Sequence, residues 1–225
     1  MHVTRVFSVV ATLTFASTLS AAACQLEPLE DPIAETIRKG DLIVGTETFV
    51  RVPETSDSSG GRQINAAFAR IQYLVPFGDD AGRLALNDLR GIVYATDEDG
   101  MAPVTFLDLR EEDVGFDDSM FPNEAGLVSV AFHPQFAEEG TPGVGKLYTA
   151  YSTDSASGIA DYLEDDAGSH ESVIREWTMT DPSANVFSGS SREVFRIGQF
   201  APNHNIGTIA FNPHAEPGSP DHGML

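Results

Sequence analysis

Cysteine occurs only once in the 225 residues, at Cys24, so no disulfide can close within the chain. Lysine is almost missing as well, with Lys39 and Lys146 the only two. Set against 34 acidic side chains, the 13 basic ones leave a formal charge of −21. That balance repels nucleic-acid backbones and anionic membrane surfaces, which argues against nucleic acid as a partner. No apolar run reaches the roughly 20 residues that a membrane-spanning helix needs. Nucleotide loops, zinc-ligand spacings, Cys–His arrangements and nucleophilic-serine motifs are all missing from the sequence.

What is present begins with a leader. Arg5 supplies a charge beside the N-terminus, an apolar run covers Val6 to Leu19, and Ser20-Ala21-Ala22-Ala23 offers a small-residue cleavage site. These are the three parts of a secretory signal peptide, assigned to residues 1–23. The expected location is therefore periplasmic or secreted. Cys24 follows the small residues directly, so a lipid anchor on Cys24 and ordinary cleavage after Ala23 both fit. Residues 24–66 read as an N-terminal extension, Pro- and Glu-bearing at first and ending in the flexible stretch 53–62 (PETSDSSGGR).

From residue 67 onward strand patterns dominate, and a hydrophobic content of 41% is enough for a packed core. Arg83–Asn87, Gly91–Thr96 and Val104–Leu109 are separated by turns at Asp88-Leu89-Arg90 and Asp97-Glu98-Asp99-Gly100. They predict a three-stranded antiparallel meander. Val128, Val130 and Phe132 alternate with smaller or polar residues, the period of a strand with one face in the core. Further strands are predicted at Lys146–Ser152, Val173–Met179 and Arg192–Ile197, and a new one at Gly207–Pro213. Polar insertions at 134–145 and 153–172 separate them, and the second carries the acidic run Asp161–Asp166, read as a solvated loop.

The last predicted strand looks like a restart. Val130-Ala131-Phe132-His133-Pro134 matches Ile209-Ala210-Phe211-Asn212-Pro213 in character, 79 residues later. Four strands connected in order are the unit of a β-propeller blade. The expected class is thus all-β, with about two and a half blades in residues 67–225 and the rest of the ring expected beyond Leu225. Among the histidines, His133 is read as finishing a strand. His204 stands in Asn203-His204-Asn205-Ile206-Gly207, just before a predicted first strand of a blade. Loops leading into first strands converge over a propeller's channel mouth, where a neutral imidazole can accept a proton. From position alone, a plain polar turn is the simpler reading.

Two of these segments resemble those of a known family. Gly126-Leu127-Val128-Ser129-Val130-Ala131-Phe132-His133-Pro134-Gln135-Phe136 is similar to the GLLGLAFHPDF segment of the soluble quinone-dependent glucose/sorbosone dehydrogenases, and Lys146-Leu147-Tyr148 follows in step. Asn203-His204-Asn205-Ile206-Gly207-Thr208-Ile209-Ala210-Phe211 resembles that family's NHNGGxLxF segment. Gly82-Arg83-Leu84 and Phe106–Leu109 resemble its first blade. The resemblance covers roughly residues 68–225. It implies a six-bladed propeller that binds pyrroloquinoline quinone (PQQ) and calcium and oxidises an aldose hydroxyl, passing electrons to an external acceptor. It implies His204 as general base facing the quinone, and Glu124 and Asn203 as substrate-facing residues. It places the calcium ligands and the basic quinone-binding residues beyond Leu225. Ile206 and the long stretch from Pro213 to Gly223 depart from the family pattern. The competing reading is a catalytically inactive propeller that captures a sugar or protein ligand.

Overall fold

The computed structural model describes residue 40 and residues 45–55, 69–119, 124–153, 160–164, 170–199, 201 and 203–225. The signal peptide, Cys24 and most of the extension therefore lie outside the described residues. The chain divides into two units, Met1–Gly45 and Thr46–Leu225, and every strand among the described residues belongs to the second. The protein is all-β. Among the described residues no helix is long and apolar enough to cross a membrane.

The first sheet contains β1 (Ile71–Pro76), β2 (Leu84–Asp88), β3 (Ile92–Thr96) and β4 (Val104–Asp108), antiparallel and in sequence order. The predicted meander is β2 to β4. Its turns form where expected: the Gly91 N–H reaches the Asp88 carbonyl at 2.9 Å and the Gly100 N–H reaches that of Asp97 at 3.0 Å. Gly91 stands at φ 99°, and a Cβ there would press on the Phe116 ring at 2.8 Å, so only glycine fits the turn. β1 adds a fourth strand that the sequence reading omits. It pairs with β2 on one side only, and its side chains are mostly exposed.

The second sheet runs β5 (Leu127–Phe132), β6 (Lys146–Thr153), β8 (His170–Met179) and β9 (Gly189–Gln199), again antiparallel in order. β7 (Tyr162–Glu164) arises inside the acidic insertion and pairs in parallel with β9. That corrects part of the predicted loop, and Asp161 beside it forms an ion pair with Arg192. The strand predicted at Gly207–Pro213 does not form: residues 203–225 contain no strand. Instead the segment lies against β5 and β6. The Ile209 N–H donates to Ser129 Oγ at 3.2 Å, and the Phe211 ring packs on His133 and Tyr148.

The core lies between the two sheets. Phe77, Phe106, Phe132, Phe136, Leu127, Leu147 and Trp177 are buried in one cluster. Phe77 and Phe132 approach to 4.1 Å between ring centroids, and Phe77 meets Phe106 edge-on at 5.0 Å. Burying each such side chain stabilises the fold by about 1.5–3 kcal/mol. A buried polar contact accompanies them, from Trp177 Nε1 to Thr149 Oγ1 at 2.8 Å. β5 packs beside β1 and β2. Part of the predicted extension joins the first sheet as well. Val50 and Val52 pack against Leu86, Ile92 and Tyr94, and the Thr55 hydroxyl bonds the buried Asp88 carboxylate at 2.5 Å.

Antiparallel order sends the connections to two opposite ends. The β2–β3 turn, the β4–β5 connection and the segment after β9 share one end. The β1–β2, β3–β4, β5–β6 and β8–β9 connections share the other. This placement decides which side chains meet.

Candidate functional site

Gly126 sets up the first end. It stands at φ 134°, and a Cβ there would collide with the Leu89 carbonyl oxygen at 2.0 Å. The close approach lets the Leu127 N–H donate to that carbonyl at 2.8 Å, joining the β2–β3 turn to the start of β5. Glu124 lies two residues before this junction, and its Oε2 accepts the His204 N–H at 2.5 Å. The His204 Nδ1 atom lies 3.9 Å from the same oxygen. The structure thus brings together His204 and Glu124, residues 80 apart in sequence.

His204 is held in an unusual way. Its φ is 62°, the only positive value at a non-glycine among the described residues, and its side chain is 82% exposed. Holding an L-residue there costs on the order of 1 kcal/mol, although His tolerates it better than most. Outliers of this kind concentrate at functional sites, where neighbouring contacts enforce them. Here the enforcing contact is the Glu124 carboxylate. The imidazole is left facing outward over a shallow depression of about 270 Å³, lined among others by Tyr73, Glu124, Asn205 and Thr208.

Asn203, the third predicted site residue, is half-buried and does not line this depression. Asn205 does, and sequence reasoning missed it. Its Oδ1 accepts from Ser152 Oγ at 3.5 Å and is in contact with Nε2 of the buried His170. Its Nδ2 is buried with no hydrogen-bond acceptor among the described residues, an orphan donor that costs free energy unless a ligand or water satisfies it. His170 falls at the start of β8 and Ser152 near the end of β6. The Ile206 N–H adds a long bond to Ser172 Oγ at 3.4 Å.

His133, read as a strand-finishing residue, has that role. Its Nδ1 accepts the Gln135 N–H at 3.0 Å and its own N–H donates to the Lys146 carbonyl at 3.0 Å. Burial lowers its pKa below the ordinary histidine value, with the charges of Lys146 and His222 acting the same way.

The fit to the implied cofactors follows from the side chains present. Among the described residues no group of three or more His, Cys, Asp or Glu could hold a metal ion. PQQ is a planar tricarboxylate that asks for cations, and no Arg or Lys lines the His204 depression. The described residues therefore do not make a calcium or quinone site by themselves. No protein-family model matches the chain, and no curated protein matches it.

Proposed function

We propose that the chain supplies the sugar-facing side of an exported aldose dehydrogenase, with His204 taking the proton of the hydroxyl being oxidised. The observation that carries this reading is the strained, exposed His204 pinned through its backbone by Glu124. An imidazole is a side chain suited to that proton transfer. Glu124 can accept from a neighbouring sugar hydroxyl, and the orphan Nδ2–H of Asn205 can donate to one. The two four-stranded meanders, joined through β5 and β1–β2, are read as successive blades of a six-bladed propeller. Resemblance to the glucose/sorbosone dehydrogenases supports PQQ as the hydride acceptor, with calcium. No step through either group follows from the residues described. The leader at residues 1–23 supports a periplasmic or secreted location.

The test is dye-linked oxidation of aldoses by the full-length protein supplied with PQQ and calcium. His204→Ala should fold as the parent does and lose about 10²-fold or more of turnover. Undiminished turnover in that variant would contradict the assignment. A second reading, a propeller that binds a sugar without oxidising it, is favoured by the carboxylate, amide and hydroxyl groups around a depression that lacks a cation. Equal sugar binding with and without PQQ, and no turnover with any aldose, would select it.

A further inference from the structure

The opposite end of the sheet pair holds a larger cavity, of about 590 Å³. It is bounded by all four connections at that end: residues 79–83, 95–104, 137–144 and 181–185 each contribute to its wall. Its volume lies within the range of small-molecule sites, about 300–1,000 Å³. The wall has two characters. Met101 and Val104, 63% and 44% exposed, form an apolar part together with Ala81, Ala102, Ala137 and Val144. Exposed methionine and valine of this kind have apolar surface left to bury.

The rest of the wall is negative. Asp79, Asp97, Glu139 and Asp181 all line the cavity, and Arg83 is its only cation. Arg83 is already committed. Its Nε pairs with Asp79 at 2.6 Å, and its two terminal nitrogens donate to the carbonyls of Ala184 and Pro182. It therefore pairs directly with Asp79, and its charge also reaches Asp181 at longer range. Asp97 uses Oδ1 to accept the Asp99 and Met101 N–H groups at 3.1 and 3.0 Å. Asp181 uses Oδ1 for the Ser183 N–H and hydroxyl at 2.9 and 2.6 Å. The second oxygen of each, and the whole Glu139 carboxylate, have no hydrogen-bond donor or ion pair among the described residues.

We propose that this cavity binds a small organic cation, an ammonium or guanidinium carried on an apolar body. The apolar wall takes the body, and the three uncommitted carboxylates take the charge. Its place at the end opposite His204 makes it independent of the sugar reading. A simple metal ion is a poorer match, because the carboxylates are spread over three loops and do not group as a metal set.

The test uses the full chain and three probes of one shape: 4-phenylbutylamine, 4-phenylbutanol and 4-phenylbutyrate, titrated by calorimetry. The amine should bind at least about tenfold more tightly than the alcohol, the carboxylate should not bind, and salt should weaken the amine. The triple variant Asp97→Asn, Glu139→Gln, Asp181→Asn keeps the turn-accepting oxygens and should bind the amine about tenfold more weakly. Ala102→Trp, which fills the apolar side, should abolish amine binding while His204-dependent behaviour stays unchanged. Equal affinity for amine and alcohol, or no amine binding up to about 10 mM, overturns the proposal. Should the triple variant fail to fold, the amine-to-alcohol ratio in the parent protein still decides it.

Discussion

At the end where β1 turns into β2, the sheets are joined by Phe77, Phe132 and Phe136 and by the Arg83 guanidinium. At the end where His204 sits, the sheets meet through the Leu127 N–H on the Leu89 carbonyl and Asn87 Nδ2 on the Leu127 carbonyl, while serine hydroxyls and one carboxylate tether the segment after β9. The first kind of junction removes apolar area from water and gives a buried cation a carboxylate and two backbone carbonyls. The second consists of single hydrogen bonds, each worth only about 0.5–1.5 kcal/mol net. Weak and adjustable tethers suit a surface that must receive a ligand, and elements of low local stability are where binding loops are found. The stiff end and the soft end thus follow from the same two sheets.

The largest effect expected from breaking this contrast is at Arg83. Arg83→Ala leaves the buried Asp79 carboxylate and two carbonyls without their donor and should cost about 4 kcal/mol in urea unfolding. Arg83→Lys should recover little, since an ammonium cannot fork to the same partners. Next is Phe77→Ala, which opens a cavity at the centre of the aromatic cluster and should cost about 3 kcal/mol. A loss below about 1 kcal/mol in either would remove the distinction between the ends.

Acid should act between these and the smallest effects. His133 has its pKa lowered in the folded protein, so the unfolded chain binds the proton more readily. Stability from this group is complete above the unfolded value of about 6.5 and falls as pH drops below it. His133→Gln should flatten that part of the stability–pH curve, measured by thermal unfolding from pH 7.5 downward in steps of about 0.5. At the soft end, Ser129→Ala should cost only about 0.5–1 kcal/mol, and Ser172→Ala, whose buried hydroxyl also accepts from Gln199 Nε2, about 1–2 kcal/mol. Both should change sugar affinity more than stability.

The outer strands of the second sheet show a third kind of bonding. Arg196 is buried between Glu171 and Glu193, and Arg175 pairs with Glu193 at 2.8 Å. Burial works against the Glu176 carboxylate. Bonds from Tyr148 and Arg192, with the nearby Lys146 charge, nevertheless hold it below its ordinary value. Removing one member would strand the others, so this sheet depends on complete pairing.

Much of the fold was legible because burial leaves a periodic mark. β2, β3 and β4 have buried apolar residues and glycine-bearing turns, and β5, β6, β8 and β9 all fall where alternation predicted strands. β1 left a weak mark because it is an edge strand with exposed side chains and ends at Pro76. β7 is three residues long within an acidic run. Gly207–Pro213 gave a false signal: alternation tells which face is apolar, not whether a ladder partner exists. There the Ile209 N–H goes to a serine side chain instead of a strand. The site was half legible. His204 and Glu124 were singled out in the sequence without any sign that they touch, and Asn205, His170 and Ser152 meet only because β6 and β8 lie side by side.

The central claim is that the soft end, not the cavity end, receives the sugar. A ¹⁵N–¹H titration of the labelled full chain with aldoses tests it most directly. The predicted result is saturable shifts of the Asn205 side-chain amide and the His204 and Gly207 backbone amides. Asp99, Met101 and Ser183 should stay unmoved. Shifts confined to those last three, or none at the His204 end at saturating sugar, would contradict it.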